Sequence, residues 1–358
     1  LQWETSNQLD IGIEAGLFKN RIYVSADFFD KRTRNLLYEQ NLPNTTGFSK
    51  FWTNLGKVRF WGYELELTTR NIVKKNFSWE SKLVLSYQQN KVLKLPDNGI
   101  AKNRTGGIAL GDGTFFGGIA EGEPLNRFYG YVATGIIETE EQAANANYDA
   151  LSRLPQKGAK RVGDYEWADR NGDGQITTAD QFCLGVTVPP FTGGLQNSFR
   201  LKNWTLSLYL DWATGHSIFD ESYSRYFYGT FTNNYALAKD VLKAWKKPGD
   251  KTKYAKFYAN DSNWGNDNYN RRAANTFTYK GDYLCLREIT LQYSLPSKLF
   301  TKVGLKGVTL TVSGNNLYYF TEVKGISPEA GSSTTYDGDV FYNYPPIRRF
   351  SFGVRLIF

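Results

Sequence analysis

One stretch of the chain has the spacing of a metal-binding loop. From Asp169 to Asp180 the sequence reads DRNGDGQITTAD. Asp169, Asn171 and Asp173 supply hard oxygen donors at the first, third and fifth positions of a calcium loop of the EF-hand kind. Gly174 allows the sharp bend, Gln175 offers its backbone carbonyl at the seventh position, and Asp180 stands twelfth, where glutamate is usual. Asp is the shorter side chain and would ligate through one oxygen, which weakens affinity. No pair of flanking helices is evident, so the spacing predicts a structural calcium clamp on a connecting loop rather than a calcium switch. Magnesium, or an Asx-rich turn without metal, fits the same residues.

Other chemistry is sparse. His216 is the only histidine, and no Ser or Cys motif or nucleophile elbow accompanies it. It reads as a loop histidine without the partners a catalytic base needs. Glu64 and Glu66 are two residues apart, so in a strand they share one face and do not oppose each other as a glycosidase pair does. The glycine-rich stretch from Gly106 to Gly118 lacks the lysine and helix of a phosphate loop. Cys183 and Cys285 are too few for a disulfide framework. No catalytic residue is assigned, and an enzyme is not expected. Between residues 214 and 280 lie Tyr223, Tyr226, Tyr228, Trp264 and Tyr269, whose rings could stack on sugar faces or peptide groups and are the candidate substrate contacts. Packing within the loop's own small core explains the same residues. Within this loop, Tyr235–Trp245 has helical spacing.

The elements that carry these residues are strands. From Trp204 to Trp212, the residues Trp204, Leu206, Leu208, Leu210 and Trp212 alternate with Thr205, Ser207, Tyr209 and Asp211. Eight steps span ~26 Å. At a tilt of ~40° they project to ~20 Å, close to the ~25 Å apolar band of an outer-membrane barrel. The same period of two recurs along the chain, and Phe350, Phe352, Val354, Leu356 and Phe358 close it. A soluble β-sandwich also alternates, but its strands are shorter and its aromatics do not collect at strand ends. The pattern therefore predicts an all-β fold, a transmembrane antiparallel β-barrel. Its polar face, with Asp27, Glu64, Glu66, Glu80, Lys82, Tyr209, Asp211 and Glu288, would line a hydrated lumen.

Composition narrows the classes further. One His and two Cys among 358 residues argue against a His- or thiolate-rich zinc or iron site. No apolar run is long enough for a transmembrane helix. The net charge of +8 comes from basic residues interleaved with acids, without a stripe or recognition helix, so nucleic acid is not an expected partner. The chain contains no Met and opens without a secretory signal, as expected of a mature product or an internal piece.

Nine membrane-length strands are expected, near 3–16, 21–37, 57–71, 77–92, 193–202, 204–213, 281–295, 305–320 and 347–358. Short joins alternate with long ones at 38–56, 93–192, 214–280 and 321–346. Barrels have short periplasmic turns and long extracellular loops. Residues 93–192 and 214–280 are thus expected outside the cell as large loop regions, and the C-terminus in the periplasm. The segment Phe128–Ile137 looks strand-like, yet parity excludes it as a lone spanning strand. Nine is odd, whereas a regular closed antiparallel barrel needs an even count, so an odd number of further strands is expected upstream.

Taken together, several stretches resemble the C-terminal barrel portion of SusC/RagA-type TonB-dependent outer-membrane transporters of Bacteroidota. They include Gly62-Tyr-Glu-Leu65, Gly122-Glu-Pro-Leu125 and Phe128-Tyr-Gly-Tyr131. The acidic loop Asp169–Asp180, the run Tyr283–Leu291, Ser313-Gly-Asn-Asn-Leu317, Ser327-Pro-Glu329 and the closing strand to Phe358 complete the set. Ser327 departs from the Asp usual in the family. The resemblance implies a 22-stranded barrel with an N-terminal plug absent from this chain, and import of oligosaccharides or peptides. It also implies a SusD-like surface lipoprotein as a lid, and TonB acting through the missing part. A siderophore or cobalamin receptor of the same class is an alternative, as is a non-transporting surface adhesin or glycan-binding domain.

Overall fold

A computed structural model describes every residue except 42–45, 48–49, 100, 106–107, 110–114, 117, 126, 152–158, 221–222, 224–226, 228–236, 258–273, 297, 299–303 and 330–345. Among the described residues, nine long strands form one sheet: β1 (Thr5–Leu17), β2 (Ile22–Asn41), β3 (Lys50–Val73), β4 (Phe77–Lys94), β5 (Phe191–Leu201), β6 (Trp204–Thr214), β7 (Tyr283–Ser294), β8 (Gly307–Thr321) and β9 (Arg349–Ile357). Each pairs antiparallel with the next in chain order, and β1 and β9 form the two edges.

The period-two pattern decides which face is which. On β6, Leu206, Leu208 and Leu210 point to the same side as their cross-strand partners on β7, Leu291, Ile289 and Leu286. Aromatic rungs frame this apolar face. Phe28, Tyr63 and Tyr87 stack across three strands, with centroids 5.2 and 6.5 Å apart. Toward the other end lie the pairs Trp79–Phe199 at 5.6 Å and Trp204–Tyr293 at 4.4 Å. Tyr87 and Trp79 are eight residues apart on β4, about 26 Å at the usual rise. One step beyond Phe28 on the same face, Asp30 pairs with Arg59 and Arg32, and Arg59 lies 4.7 Å from the Trp61 ring centroid. Charges paired this way belong where hydrocarbon gives way to headgroups.

The opposite face is polar, and its charges pair across strands. Lys82 reaches Glu66 at 2.8 Å and Arg70 reaches Glu80 at 3.6 Å. Ser25 donates to Asp27, while Glu288 accepts from Thr290 and Asn315.

Two boundaries differ from the sequence reading. Residues 38–41 and 50–56, expected within a connection, are strand, because β2 and β3 stay in register from Leu36↔Leu55 to Asn41↔Lys50. A hairpin satisfies its own backbone groups beyond the membrane band, so nothing forces the strands to stop there. The helical spacing at Tyr235–Trp245 yields only a 3-10 turn, Lys239–Lys243, among the described residues. Phe128–Ile137 does stay out of the large sheet. It splits into short strands Arg127–Gly130 and Ala133–Ile136, which pair with Phe182–Val186 and Tyr165–Trp167.

The connection between β4 and β5 and that between β6 and β7 pack into one body. Tyr131, Tyr165, Trp167 and Ile176 from the first share a buried core with Phe227, Tyr254, Ala274 and Phe277 from the second. Backbone bonds stitch the two: Lys256 N–H donates to the Gly163 carbonyl and Asn275 N–H to that of Tyr131. The body sits on the polar side of the sheet. Val58 and Val92, on the same side as Glu64 and Gln88, are fully buried with Leu95 beneath Ile119 and Leu125. Asn90 Oδ1 accepts from Leu125 N–H.

Candidate functional site

The inner mouth concentrates the chain's polar chemistry. At its centre is Arg287, on β7. The alternation there slips: Leu284 and Leu286 face outward, then Ile289 and Leu291 do, and Arg287 is the extra residue of the resulting β-bulge. A bulge re-aims its side chain, and here it turns the guanidinium onto the inner face. β8 has its own irregularity opposite, at Asn316, where φ is +53°. Arg287 Nε and Nη2 grip Asp211 at 2.7 and 2.8 Å. Nη2 also pairs with Glu329, and Nη1 donates to Asn316 Oδ1 at 2.8 Å and Tyr319 OH at 3.1 Å. The sequence reading placed Asp211 on this face but missed Arg287. The phase change of the apolar residues on either side of it was the available signal.

His216 lies just after β6 and is 3% exposed. Its Nε2 sits 3.2 Å from the Pro328 carbonyl, so the proton resides on Nε2 and is donated there. Burial holds its pKa below the ordinary imidazole range, against the opposing effects of the Pro328 carbonyl and Asp282. It is therefore neutral near pH 7, in a pinning role and without a nucleophile partner in these contacts.

Glu123, in the Gly122-Glu-Pro-Leu125 stretch, anchors the first loop to the wall. It is buried, and Lys102 at 2.8 Å, Arg104 at 3.3 Å and Arg127 at 3.8 Å converge on it. Tyr129 donates its hydroxyl to the same carboxylate. Burial alone would raise its pKa, but Lys102, Tyr129 and Arg104 outweigh burial and hold it below the usual carboxylate range.

The acidic loop is bound up by its own hydrogen bonds. Asp169 accepts from Gly174 N–H and Gly172 N–H at 2.8 and 2.7 Å, Asn171 from Asp173 N–H, and Asp173 from Gln175 N–H. Gly172 and Gly174 have φ of +74° and +78°, which side chains rarely adopt. Asp180 is buried. Its oxygens accept from Arg170 N–H and from the backbone and hydroxyl of Thr177, as the far partner of a capping box. Among the described residues no three His, Cys, Asp or Glu side chains group as metal ligands. Asp169, Asn171 and Asp173 surround the bend with side-chain oxygens that accept backbone hydrogen bonds, and Asp180 serves the fold of the loop.

Of the aromatic candidates, Tyr223 packs its ring against Phe227 and Phe277 and donates its hydroxyl to Asp240 at 2.6 Å. Burial and the Asp240 carboxylate raise its pKa, so it stays a neutral donor. Tyr226, Tyr228, Trp264 and Tyr269 lie outside the described residues. A groove of about 450 Å³ opens on the inner wall below the loop body, lined by Lys82, Ser86, Gln196, Tyr209, Asp211 and Tyr283 among others. Gly194, on this face, lets the Tyr209 ring lie against β5, where a Cβ would come within 2.9 Å of the Tyr209 hydroxyl.

Antiparallel strands of membrane-crossing length, apolar and ringed by aromatics on one face and polar on the other, define a transmembrane β-barrel wall of the outer-membrane type. Comparison with known proteins makes this specific. The family described as "TonB dependent receptor-like, beta-barrel" matches residues 1–317, and the chain belongs to that family of outer-membrane proteins. TonB-dependent receptor P3 of Formosa agariphila is 31% identical over the whole chain and 34% of its own length. TonB-dependent receptor SusC of Bacteroides thetaiotaomicron is 24% identical over the whole chain and 32% of its own length. The chain thus spans about a third of the length of these curated relatives. The solved structure of the RagAB peptide transporter superposes with a TM-score of 0.76 at 21% identity, covering 99% of this chain and 36% of that one.

Proposed function

We propose that this chain forms part of the wall and mouth of an importer that moves oligosaccharides or peptides across the outer membrane and catalyses no reaction itself. The observation that carries the reading is the loop body. Two connections fold into a single packed unit on the polar side of the wall, as a selective mouth for large solutes needs and an open pore does not. The names of the relatives, SusC and the RagAB peptide transporter, support the same reading. On it, residues 93–192 and 214–280 face the cell exterior and the C-terminus the periplasm. The complete barrel has 22 strands, a SusD-like lipoprotein covers the mouth, and TonB acts through a plug outside this chain. Tyr223, Tyr226, Tyr228, Trp264 and Tyr269 are the proposed cargo contacts. Uptake by a deletion strain tests it: loss of growth on an oligosaccharide or peptide source, restored by the intact gene, is the expected result. Loss of uptake of an iron chelate alone would instead assign the protein to siderophore import.

The acidic loop enters this reading as a calcium clamp on the loop body, through Asp169, Asn171, Asp173 and the Gln175 carbonyl. Calorimetric titration should show calcium binding that Asp173→Ala abolishes. No heat with either protein would leave an Asx-rich turn held by hydrogen bonds alone.

A pH effect follows from the same geometry. The N–H of Gly174 is the largest effect on the Asp169 carboxyl; burial opposes it, but with the N–H groups of Gly172, Asp173 and Asn171 it holds the carboxyl below its ordinary range. A lowered folded-state pKa gives stability that is complete above the unfolded value, about 4. That stability is lost as pH falls through the folded value. Fluorescence of Trp167, two residues upstream, should be constant from neutral pH down to about 5. It should change only below the ordinary carboxylate range, and Asp169→Asn should remove that step.

A further inference from the structure

The connection after β8 does not leave the wall freely. Arg287 has five N–H donors, and all five are engaged: two by Asp211 and one each by Glu329, Asn316 and Tyr319. Glu329 also accepts from Tyr319 OH at 3.2 Å, and its own N–H is capped by Ser327 Oγ. One residue earlier, the Pro328 carbonyl takes the Nε2 proton of His216. His216 belongs to the other loop. Its carbonyl accepts from Gly281 N–H at 2.8 Å, and Gly215 N–H donates to Asp282, so it sits where that loop both leaves and rejoins the sheet. The strand that follows it, Ser217–Phe219, pairs with Thr278–Lys280 and carries Phe219 into contact with the buried Phe128 and with the core of the loop body.

We propose that Ser327-Pro328-Glu329 is a strap that ties the base of the β8–β9 connection to the base of the loop body, so that displacement of one displaces the other. Arg287 and His216 are its two fixing points, one on the wall and one on the loop. Neither contacts cargo in this scheme; both are positioning residues, and the coupling holds whatever the cargo. The route is contiguous through bonded and packed groups: Arg287, Glu329, Pro328, His216, Ser217–Phe219, then Phe128 and Phe277. A tie of this kind must be reciprocal, because coupling between two sites is one free energy seen from either end.

The test uses the full-length membrane protein in detergent, with hydrogen exchange read by peptide. Glu329→Ala should raise exchange about tenfold, equivalent to one hydrogen-bonded pair, over residues 322–329. It should do so also over 215–219 and 278–282, in the other loop. Glu329→Gln, which keeps the shape and one acceptor, should give a smaller change at both places. Glu322→Ala, exposed in the same segment and outside the tie, should change neither. The reciprocal variant is Gly281→Ala. Its new Cβ would lie 2.3 Å from His216 Nε2, so it must push the ring off Pro328. It should raise exchange at 322–329 although it touches no residue there. Exchange confined to the mutated segment in both directions would overturn the proposal. If Glu329→Ala fails to assemble, as judged by loss of its heat-modifiable band, Gly281→Ala and Glu329→Gln decide the matter between them.

Discussion

Leu208→Arg is expected to prevent stable assembly in the membrane, whereas Tyr209→Arg, the next residue, is expected to assemble normally. Leu208 lies midway between Trp204 and Trp212 on the apolar face of β6, opposite Ile289 of β7. An arginine there must enter the middle of the hydrocarbon. For lipid-facing sites near the bilayer midplane this costs about 2–4 kcal/mol, a large share of the ~5–15 kcal/mol that holds a folded protein together. Tyr209 points the other way. It is 38% exposed on the inner wall, bordering the groove beside Asp211, where a cation meets water and carboxylate. Unfolding in vesicles by urea, followed by gel mobility of unheated samples, compares the two. Equal loss of stability in both variants would mean that the two faces of β6 do not differ in solvent, and the barrel assignment would fall with it.

The second large effect is expected away from the membrane. Trp167 is 2% exposed in the core of the loop body. Its ring meets Tyr131 edge-on at 6.2 Å and Tyr165 at 5.2 Å. Trp167→Ala removes the centre of that core and should cost about 3–5 kcal/mol. The loss falls on a body assembled from two connections that share this one core. It should therefore appear as rapid proteolysis within 127–186 and 237–257 while the nine-stranded sheet keeps its heat-modifiable mobility. Cleavage limited to the first connection would show that the two do not depend on one core. Loss of the sheet as well would show that the loop body is needed to build the wall.

The strands were readable because their cause is local. Alternation at period two, as from Trp204 to Trp212, reports burial of one face directly, and short turns such as Phe18–Arg21 and Lys202–Asn203 leave the register little freedom. The ends of β2 and β3 were misjudged for a related reason. The membrane-length pattern stops before each strand does, because a hairpin continues as long as its backbone groups find each other. The site was less readable. Asp211 was placed on the inner face by parity, yet parity alone hides Arg287, because a bulge is the place where parity fails. The acidic loop was legible in its bend, at Gly172 and Gly174. Asp180 took a capping role that ligand spacing does not distinguish from coordination, since both put a carboxylate three residues after Thr177.

By itself, the order of residues determined the strand pattern, the two faces, the barrel class and the odd strand count, all of which follow from neighbours within about ten positions along the chain. Only the folded chain decided that two long connections share a single core on the inner side, and that Arg287 gathers Asp211, Asn316, Tyr319 and Glu329. Those contacts join residues far apart in sequence. Their partners are selected by the order in which the strands pair and by the shared loop core, which no local pattern records.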